Sequence, residues 1–519
     1  MLDKETLCLS ATEAGPDGCH GPGSDYGPPP SISNTLVHSP TRNTDHSWSG
    51  DTNTYEEAGA VQYTRFSPAR KTILVIILTF CAFLAPVSST AILAASPEVS
   101  STFKTTGDII DASNALYLVS MGIAALFWSP LSQVCGRRPV LITSSILFLL
   151  FTVATALSPN LEVYFIFRIC AAFQGTSFLV IGSSAVGDIY SPMTRASPSA
   201  WVLLGGLTGP AIGPFIGGIM VTFRPWRYIF WLLVALNGFA ALLIITLFPE
   251  TLTHKSNTHM KGKPLTQQAA HLWSQISPLR IAHIVFSYPN LFLNSLAAGT
   301  LVWNQYALLV PIRYILNPRF NLNSPIEAGL FYLAPGCGYL VGTLLGERWS
   351  NLVVRKCIRK RNGLRIPEDR LRACVPFICI GTPVCVLVYG WTVDQEIGGI
   401  PVPVIAMFLQ GVCQLFCFPC LNSYCLDVMQ DQECQGAEVV AANYVFRYFF
   451  AAVATGVVLP ADQNLGVGWF STISSVALAA VGVAMWFTAE HGRSWREAVD
   501  AKLRAKEEAK GHEMASRNA

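Results

Sequence analysis

Two arginines lie inside apolar stretches of the chain, where a positive charge is costly. Arg168 is about six residues into the stretch 162–184, and Arg447 lies somewhat deeper in the stretch 438–460. Ionisable side chains inside a bilayer are rare and point to a functional site by default. An arginine in such a place binds a carboxylate well, because it offers two parallel hydrogen bonds.

Acidic side chains that would neutralise these arginines are missing from the interior of the predicted apolar stretches. Asp108 and Asp111 precede the second stretch. Asp188 and Asp427 lie at the inner ends of the fourth and the tenth. Unmatched buried cations favour a substrate that brings negative charge. In the structural alternative, helix carbonyls or a carboxylate from a neighbouring stretch satisfy each arginine.

Uncharged polar side chains also fall inside the apolar stretches. The amides are Asn237, Asn304, Gln305, Gln410, Gln414 and Asn422, and the tyrosines are Tyr306 and Tyr444. Such groups often only join neighbouring membrane helices through hydrogen bonds. They therefore have two interpretations, as links between helices or as contacts for a solute.

A ridge of glycines runs along the fifth stretch. Its members recur at every fourth position: Gly205, Gly209, Gly213 and Gly217. This spacing places them on one side of a helix, where another backbone can approach closely. Pro210 and Pro214 each remove a hydrogen-bond donor, so the helix should bend or loosen there. The eighth stretch carries a similar ridge, Gly338, Gly342 and Gly346. We therefore predict that the two ridges pack together, either as a surface that slides during transport or only to hold the helices in contact.

These residues are positioned by stretches long enough to cross a membrane. Of the 519 residues, 51% are hydrophobic and 13% are charged, whereas soluble domains carry about a quarter charged residues. A helix needs about 20 apolar residues to cross a bilayer. Twelve stretches are close to this length: 72–95, 113–132, 139–158, 162–184, 199–221, 228–248, 291–313, 327–346, 373–393, 401–424, 438–460 and 467–488. The composition predicts an all-α membrane protein.

The twelve stretches divide into two sets of six. A polar segment, 251–288, separates a first bundle over residues 71–250 from a second over residues 289–490. A glutamine and glycine followed by an aspartate occur in both sets, from Gln174 to Asp188 and from Gln410 to Asp427. Such echoes are expected of a transporter built from repeats.

The basic residues predict the orientation of the chain. They cluster at Arg137-Arg138, in the central segment, and from Arg348 to Arg361. Short basic loops face the cytoplasm, and an even number of crossings then places both termini there. We predict a disordered cytoplasmic tail over residues 1–70, which are rich in Gly, Pro, Ser and Thr, and a solvated cytoplasmic tail over residues 491–519.

Other classes of protein find little support in the sequence. Most of the 15 cysteines lie in apolar stretches, where cysteine behaves as a small hydrophobic residue, so a disulfide framework is not expected. Cys417 and Cys420 form one Cys-x-x-Cys pair, but a zinc site needs further ligands, so we expect no metal. A Gly-x-x-x-x-Gly-Lys phosphate-binding loop is absent from the sequence, so ATP should not drive the protein directly. We expect no cofactor, no nucleic-acid partner and no enzymatic activity.

Four motifs occur in order along the chain. They are Gly136-Arg137-Arg138-Pro139 after the second stretch, Arg168 to Gly175 in the fourth, Gly205 to Gly218 in the fifth, and Phe248 to Leu252 after the sixth. With these motifs the chain resembles the major facilitator superfamily. Within it, the chain is similar to the fungal type of the twelve-span drug:proton antiporters and to exporters of organic acids and secondary metabolites. The resemblance implies twelve transmembrane helices in two pseudo-symmetric six-helix bundles around a central cavity.

The resemblance also implies roles for individual residues. The predicted solute contacts border the central cavity: Arg168, Arg447, Asn304, Gln305, Gln410 and Tyr444. The predicted conformational switch combines the basic loop with the glycine ridge: Gly136, Arg137, Arg138, Asp188, Gly205, Gly209, Pro210, Gly213, Pro214 and Gly217.

The loop after the second stretch departs from the family pattern at three positions. Family members usually carry Gly, an acidic residue and Arg where this chain has Ser129, Gln133 and Val134. An amide still forms hydrogen bonds, but without the charge that strengthens them. We therefore expect either that conformational preference depends more on the glycine ridge or that Asp188 receives one of the two neighbouring arginines.

We predict a monomeric secondary transporter in the plasma membrane. It exports a small organic molecule, an organic acid or an acidic secondary metabolite, by alternating access with proton exchange. A first alternative is broad efflux of lipophilic drugs or toxins, in which the arginines are scaffold. A second, from another class, is a membrane sensor that has the same fold but transports nothing.

Overall fold

The computed structural model describes residues 63–191, 194–252, 278–322, 325–363, 366–429 and 435–518. These ranges form helices and connecting turns without a β-strand. We number the long helices α1 to α12: Pro68–Thr90, Gly107–Cys135, Arg137–Ala156, Leu161–Ile189, Ala196–Phe223, Arg227–Leu247, Pro289–Leu309, Pro325–Lys360, Asp369–Asp394, Pro401–Val428, Gln435–Leu465 and Val467–Asn518. Shorter helical segments cover Ser96–Phe103, Pro278–Ser287 and Leu316–Arg319.

Eleven of the long helices in the described ranges are long and apolar enough to cross a membrane. The remaining one, α7, has 21 residues and therefore measures about 31 Å at 1.5 Å per residue. It is more polar because it contains four buried amides: Asn290, Asn294, Asn304 and Gln305. Neighbouring helices, rather than lipid, surround these side chains, which explains why a membrane helix tolerates them. The prediction of a twelve-helix, all-α membrane protein is confirmed.

The helices form two sets of six with the same internal packing. In the first set α1 packs on α5, α2 on α4, and α3 on both α4 and α6. In the second set α7 packs on α11, α8 on α10, and α9 on both α10 and α12. Between the sets, α2 packs on α11 and α5 packs on α8. This repetition confirms the two pseudo-symmetric bundles.

Several helices are longer than the apolar stretches predicted. Helix α2 begins at Gly107 and α11 ends at Leu465, so Asp111 and Asp462 belong to the long helices. Asp111 is 8% exposed and Asp462 is 5% exposed. The predicted limits of these two stretches, 113–132 and 438–460, are therefore too short, because they leave Asp111 and Asp462 outside the helices. Hydropathy marks the apolar part of a helix but not the buried polar turns that extend it.

The C-terminal segment continues α12 rather than forming a separate element. The helix runs from Val467 to Asn518 and leaves the apolar region well before its end. Arg496 lies 3.6 Å from a carboxylate oxygen of the buried Glu368, before α9. Tyr288 donates a hydrogen bond of 2.7 Å to Asp500. These contacts attach the segment to the second set. The predicted N-terminal tail lies outside the described residues up to residue 62, as does most of the predicted central segment.

The two glycine ridges pack inside their own sets and not against each other. The ridge of α5 faces α1, where a Cβ on Gly209 would lie 2.5 Å from the Pro86 Cβ atom. The ridge of α8 faces α10, where a Cβ on Gly342 would lie 2.8 Å from the Leu415 Cβ atom. Helices α5 and α8 meet through other residues, such as Phe215 beside Gly329. The expectation that the ridges form one seam between the halves is wrong, because each ridge faces a helix of its own half.

Gly209→Ala should destabilise the protein, because its new methyl group has no space beside α1. Overpacking of this kind costs about 1–3 kcal/mol, which exceeds the gain in helix propensity of up to about 1 kcal/mol. We expect a thermal unfolding midpoint several degrees lower, measured by tryptophan fluorescence in detergent.

Gly456→Ala is the matched control, since a Cβ at Gly456 in α11 meets no atom within 4 Å. This variant should unfold at the parent temperature or slightly above it. Equal midpoints for the two variants would contradict the close contact between α1 and α5.

Candidate functional site

A cavity of about 50 Å³ lies between the two sets of helices. The first set contributes mostly apolar side chains, among them Pro86, Leu118 and Met121. The second set contributes nearly all the polar groups: Gln305 and Tyr306 from α7, with Tyr444, Arg447 and Tyr448 from α11. The cavity is therefore apolar on one side and rich in hydrogen-bond donors on the other.

Arg447 is the charged group of this cavity. It is 4% exposed, and its guanidinium lies over the ring of Phe418 at 4.2 Å and that of Tyr444 at 5.3 Å. Its Nη2 atom donates a 2.7 Å hydrogen bond to the neutral side chain of Asn422, whereas its Nε has no partner in the described ranges. Among the ion pairs of those ranges, none involves Arg447. A buried cation without a counter-ion leaves its charge available to an anionic ligand.

A chain of amides connects the cavity to the interior of the second set. Gln410 donates to Gln414 at 3.1 Å, and Gln414 donates to the Oε1 atom of Gln305 at 2.9 Å. The Nε2 atom of Gln305 is buried without a partner in the described part of the chain. The chain of hydrogen bonds therefore orients Gln305 so that its oxygen is engaged while its donor remains unused.

Arg168 lies away from the cavity lining, inside the first set. Its Nη2 atom donates to the Ser89 carbonyl at 2.8 Å and to the Asn114 side chain at 3.1 Å. Its guanidinium also lies 5.0 Å from the ring centroid of Tyr117 and 5.7 Å from that of Tyr164. Arg168 thus joins α4 to α1 and α2, which is the structural alternative considered for it.

The other predicted solute contacts also divide into residues that line the cavity and residues that do not. Asn304 does not line the cavity, and its side-chain nitrogen donates to the Thr300 carbonyl of its own helix at 2.9 Å. Tyr444 lines the cavity, and its hydroxyl lies 3.2 Å from the hydroxyl of Ser183 in the first set. The structure brings Gln305, Tyr444 and Arg447 together, connects Gln410 to them, and leaves Asn304 and Arg168 apart.

Tyr448 is a cavity residue that the sequence analysis missed. Its ring stacks on that of Tyr444 with centroids 6.1 Å apart. The signal was present in the sequence, because residues four apart lie on the same side of a helix. Tyr306, considered only as a general polar candidate, joins them from α7.

The loop predicted to act as a switch forms a compact polar cluster at one end of the bundle. Gly136 has φ 103° and ψ 156°, a backbone conformation essentially restricted to glycine. Arg137 donates from Nε to Asp188 at 3.1 Å, and its Nη1 donates to Ser132 at 2.5 Å. The carboxylate of Glu250 accepts the backbone N–H groups of Arg137 and Arg138 at 2.9 and 3.3 Å. The backbone at the start of α3 therefore binds the carboxylate of Glu250, while the side chain of Arg137 forms an ion pair with Asp188.

An ion triad joins the two sets at this same end, which we call the basic end. Asp427, at the end of α10, lies 2.7 Å from Arg370 of α9 and 3.0 Å from Arg195, which precedes α5. Arg195 is the member from the first set, and the Asp427 side chain is only 5% exposed. The ion pair of Asp188 with Arg137 in the first set has an equivalent in the second set, that of Asp427 with Arg370. Arg195 then connects Asp427 to the first set.

Contacts also join the sets at the opposite end. Arg313, after α7, lies 3.5 Å from Glu98 in the segment after α1. Tyr314 belongs to the same turn, and burial, followed by the charge of Asp111, raises the pKa of its hydroxyl to about 12. Tyr314 therefore remains protonated and able to donate at neutral pH. The cavity lies between two layers of contacts, one at each end of the bundle.

Comparisons with a family model and with known proteins agree on one family. Residues 78–455 match the model of the Major Facilitator Superfamily. Efflux pump radE of Floropilus chiversii is 26% identical, over 81% of this chain and 79% of its own. MFS-type transporter penM of Penicillium rubens is 27% identical over 82% and 86%, and quinidine resistance protein 3 of Saccharomyces cerevisiae is 21% identical over 84% of each chain.

Solved structures share the fold at low sequence identity. The human organic anion transporter MFSD10 has a TM-score of 0.61 at 15% identity, over 81% of this chain and 100% of its own. The proton:xylose symporter XylE has a TM-score of 0.60 at 14% identity, over 82% and 97%.

Arg195→Ala should loosen the basic end, because it removes the ion pair between the sets and leaves that between Asp427 and Arg370. A partly buried pair contributes on the order of 1 kcal/mol, which shifts an opening equilibrium about fivefold. The rate of maleimide labelling at Ser423→Cys, in a cavity of about 210 Å³ at this end, should rise by that factor.

Arg372→Ala is the control, since it removes an ion pair of 3.0 Å with Glu490 that lies within the second set. Labelling is measured on the peptide containing position 423, so that other cysteines do not contribute. The same labelling rate in both variants would show that Arg195 does not hold the sets together.

Proposed function

Because this chain belongs to the major facilitator superfamily and is a transporter of that family, we propose that it exports an organic acid or acidic secondary metabolite. Transport proceeds by alternating access between the two six-helix sets, driven by exchange with protons. The relatives include an efflux pump of Floropilus chiversii and a transporter of Penicillium rubens, and the first of these agrees with export.

The observation that carries the proposal is the state of Arg447. Its cation borders the cavity, is 4% exposed, and hydrogen-bonds to a neutral amide. Removing a cation from water costs several kcal/mol unless an opposite charge compensates it. A carboxylate in the cavity would supply that charge and accept two hydrogen bonds from the guanidinium.

The remaining polar groups of the cavity suit the same ligand. The unpartnered Nε2 atom of Gln305 is a donor, and the hydroxyls of Tyr306, Tyr444 and Tyr448 donate while protonated. The apolar side chains of the first set, such as Leu118 and Met121, would contact the hydrocarbon part of the solute. An acid with an apolar body matches both sides.

Alternating access would use the contacts at the two ends. We propose that separation of Arg195 from Asp427 opens the basic end, while separation of Arg313 from Glu98 opens the opposite end. The predicted switch residues around Gly136, Arg137, Arg138 and Asp188 would act by keeping the first set rigid during this motion. The glycine ridge of α5, with Pro210 and Pro214, would do the same through α1.

Proton exchange depends mainly on the family resemblance. Two buried carboxylates of the described part, Asp111 of α2 and Asp462 of α11, lie near the opposite end and are candidates for carrying the proton. Asp111 accepts a hydrogen bond of 3.4 Å from Ser96, whereas neither oxygen of Asp462 has a hydrogen-bond partner in the described residues.

A second candidate function is efflux of lipophilic drugs or toxins. It is favoured by an apolar groove of about 790 Å³ between α1, α5 and α8, which includes Phe80, Phe83 and Trp201 and opens towards the lipid. In this case Arg447 would be part of the scaffold.

We further propose that the protein is a plasma-membrane monomer with both termini in the cytoplasm and with bundles over residues 71–250 and 289–490.

The Arg447→Gln variant should lose transport of acids. Purified protein in vesicles should move radiolabelled dicarboxylates under an imposed pH step, and Arg447→Gln should raise KM about tenfold or more. Arg447→Lys should keep part of the activity, because it retains the charge without the bidentate geometry.

Arg224→Gln is the control, since it removes an exposed arginine outside the cavity. Each variant is first shown to elute as a single species at the parent position in size-exclusion chromatography. Unchanged acid flux in Arg447→Gln would contradict the proposal. Flux of lipophilic dye alone would favour the second candidate, and absence of any flux would favour a sensor.

A further inference from the structure

Helix α8 extends farther beyond the bundle than its counterpart α2. Helix α8 packs on α10 as α2 packs on α4, and the stretch of α8 that corresponds to the loop motif beginning at Ser129 begins at Gly346. After these points α2 continues for about six residues to Cys135, whereas α8 continues for about 14 residues to Lys360. The difference of about eight residues corresponds to about 12 Å of helix. The first half has no similar projection from α2.

The projecting part of α8 carries four cations around a groove of about 570 Å³. Leu352, Arg355, Lys356 and Arg359 occupy positions i, i+3, i+4 and i+7, so they lie on one side of the helix, with Lys360 next to them. We call these five residues the α8 basic face. All four cations are exposed, and none belongs to an ion pair in the described residues.

The same side of α8 faces lipid closer to the membrane centre. Leu345, Trp349 and Leu352 are 46%, 40% and 64% exposed, and they follow one another at i, i+4 and i+7. Large apolar side chains exposed on a membrane helix contact acyl chains. The Trp349 indole also donates a 3.0 Å hydrogen bond to the Ala373 carbonyl, and tryptophan is typical of the membrane interface. The cations therefore follow directly after exposed apolar side chains on the same side of the helix.

We propose that the α8 basic face binds an anionic phospholipid. The phosphates of the headgroup contact Arg355, Lys356, Arg359 and Lys360, and an acyl chain lies along Leu352 and Leu345. Four or more basic residues beside a membrane helix attract anionic lipids, and the arginine fork matches phosphate oxygens. Because the four cations lie within about two turns of helix, a headgroup with more than one phosphate suits them best.

The experiment measures binding of a fluorescent short-chain phosphatidylinositol bisphosphate to the full-length protein in detergent micelles. Arg355→Gln with Arg359→Gln should weaken binding about tenfold or more. The matched control is Arg65→Gln with Arg70→Gln, which removes two exposed charges that stack on Phe66 near the start of α1. This control should change the affinity less than about twofold, since it removes charge outside the proposed site.

Further ligands separate a lipid from a free phosphate compound. Phosphatidylcholine should not compete, and inositol trisphosphate should compete weakly because it lacks the acyl chain. Leu352→Ser should weaken binding of the lipid without changing the affinity for inositol trisphosphate. Equal losses in the two double variants would overturn the proposal by indicating non-specific charge attraction. Inositol trisphosphate binding as tightly as the lipid, with no effect of Leu352→Ser, would overturn it in favour of a soluble polyphosphate.

Discussion

Close approach of helix backbones inside each six-helix set is the constraint on which the remaining structure depends. In a bilayer the hydrophobic effect does not drive helices together, so packing and hydrogen bonds must do so. Glycines supply the packing, at Gly209 against α1 and at Gly342 against α10. Arg168 supplies hydrogen bonds from α4 to a carbonyl of α1 and to Asn114 of α2. Each set is therefore held together by contacts that have little freedom to rearrange.

The junction between the two sets is built differently. Besides the packing of α2 on α11 and of α5 on α8, it contains polar contacts between side chains, such as Arg195 with Asp427, Ser183 with Tyr444 and Glu98 with Arg313. Side-chain contacts of this kind can be replaced by contacts with water when the sets separate, whereas the ridge glycines of α5 and α8 pack against helices of their own set. Motion is therefore expected between the sets, and the cavity lies at that junction.

The two buried arginines illustrate how differently one residue type can be used. Arg168 is surrounded by groups of its own set, including the carbonyl of Ser89 and the side chain of Asn114. Arg447 borders the cavity, lies against aromatic rings and hydrogen-bonds to a neutral amide. Three polar groups of its own set hold the Arg168 guanidinium, and only its Nε lacks a partner in the described residues. The Arg447 guanidinium borders the cavity, where an anion can reach it. This difference separates scaffold from a candidate binding site.

The sequence by itself determined the twelve helices, their division into two sets and the family, because hydropathy and short motifs are properties of consecutive residues. Helix ends were less predictable: Asp111, near the start of α2, and Asp462, near the end of α11, lie in buried turns beyond the apolar stretches. The glycine ridges were visible in the sequence, but their partners in α1 and α10 were not. Only the tertiary structure decided that Arg447, Gln305 and Tyr448 share a cavity while Asn304 and Arg168 do not. The reason is physical: the environment of a buried polar group is set by neighbours that are distant in the chain.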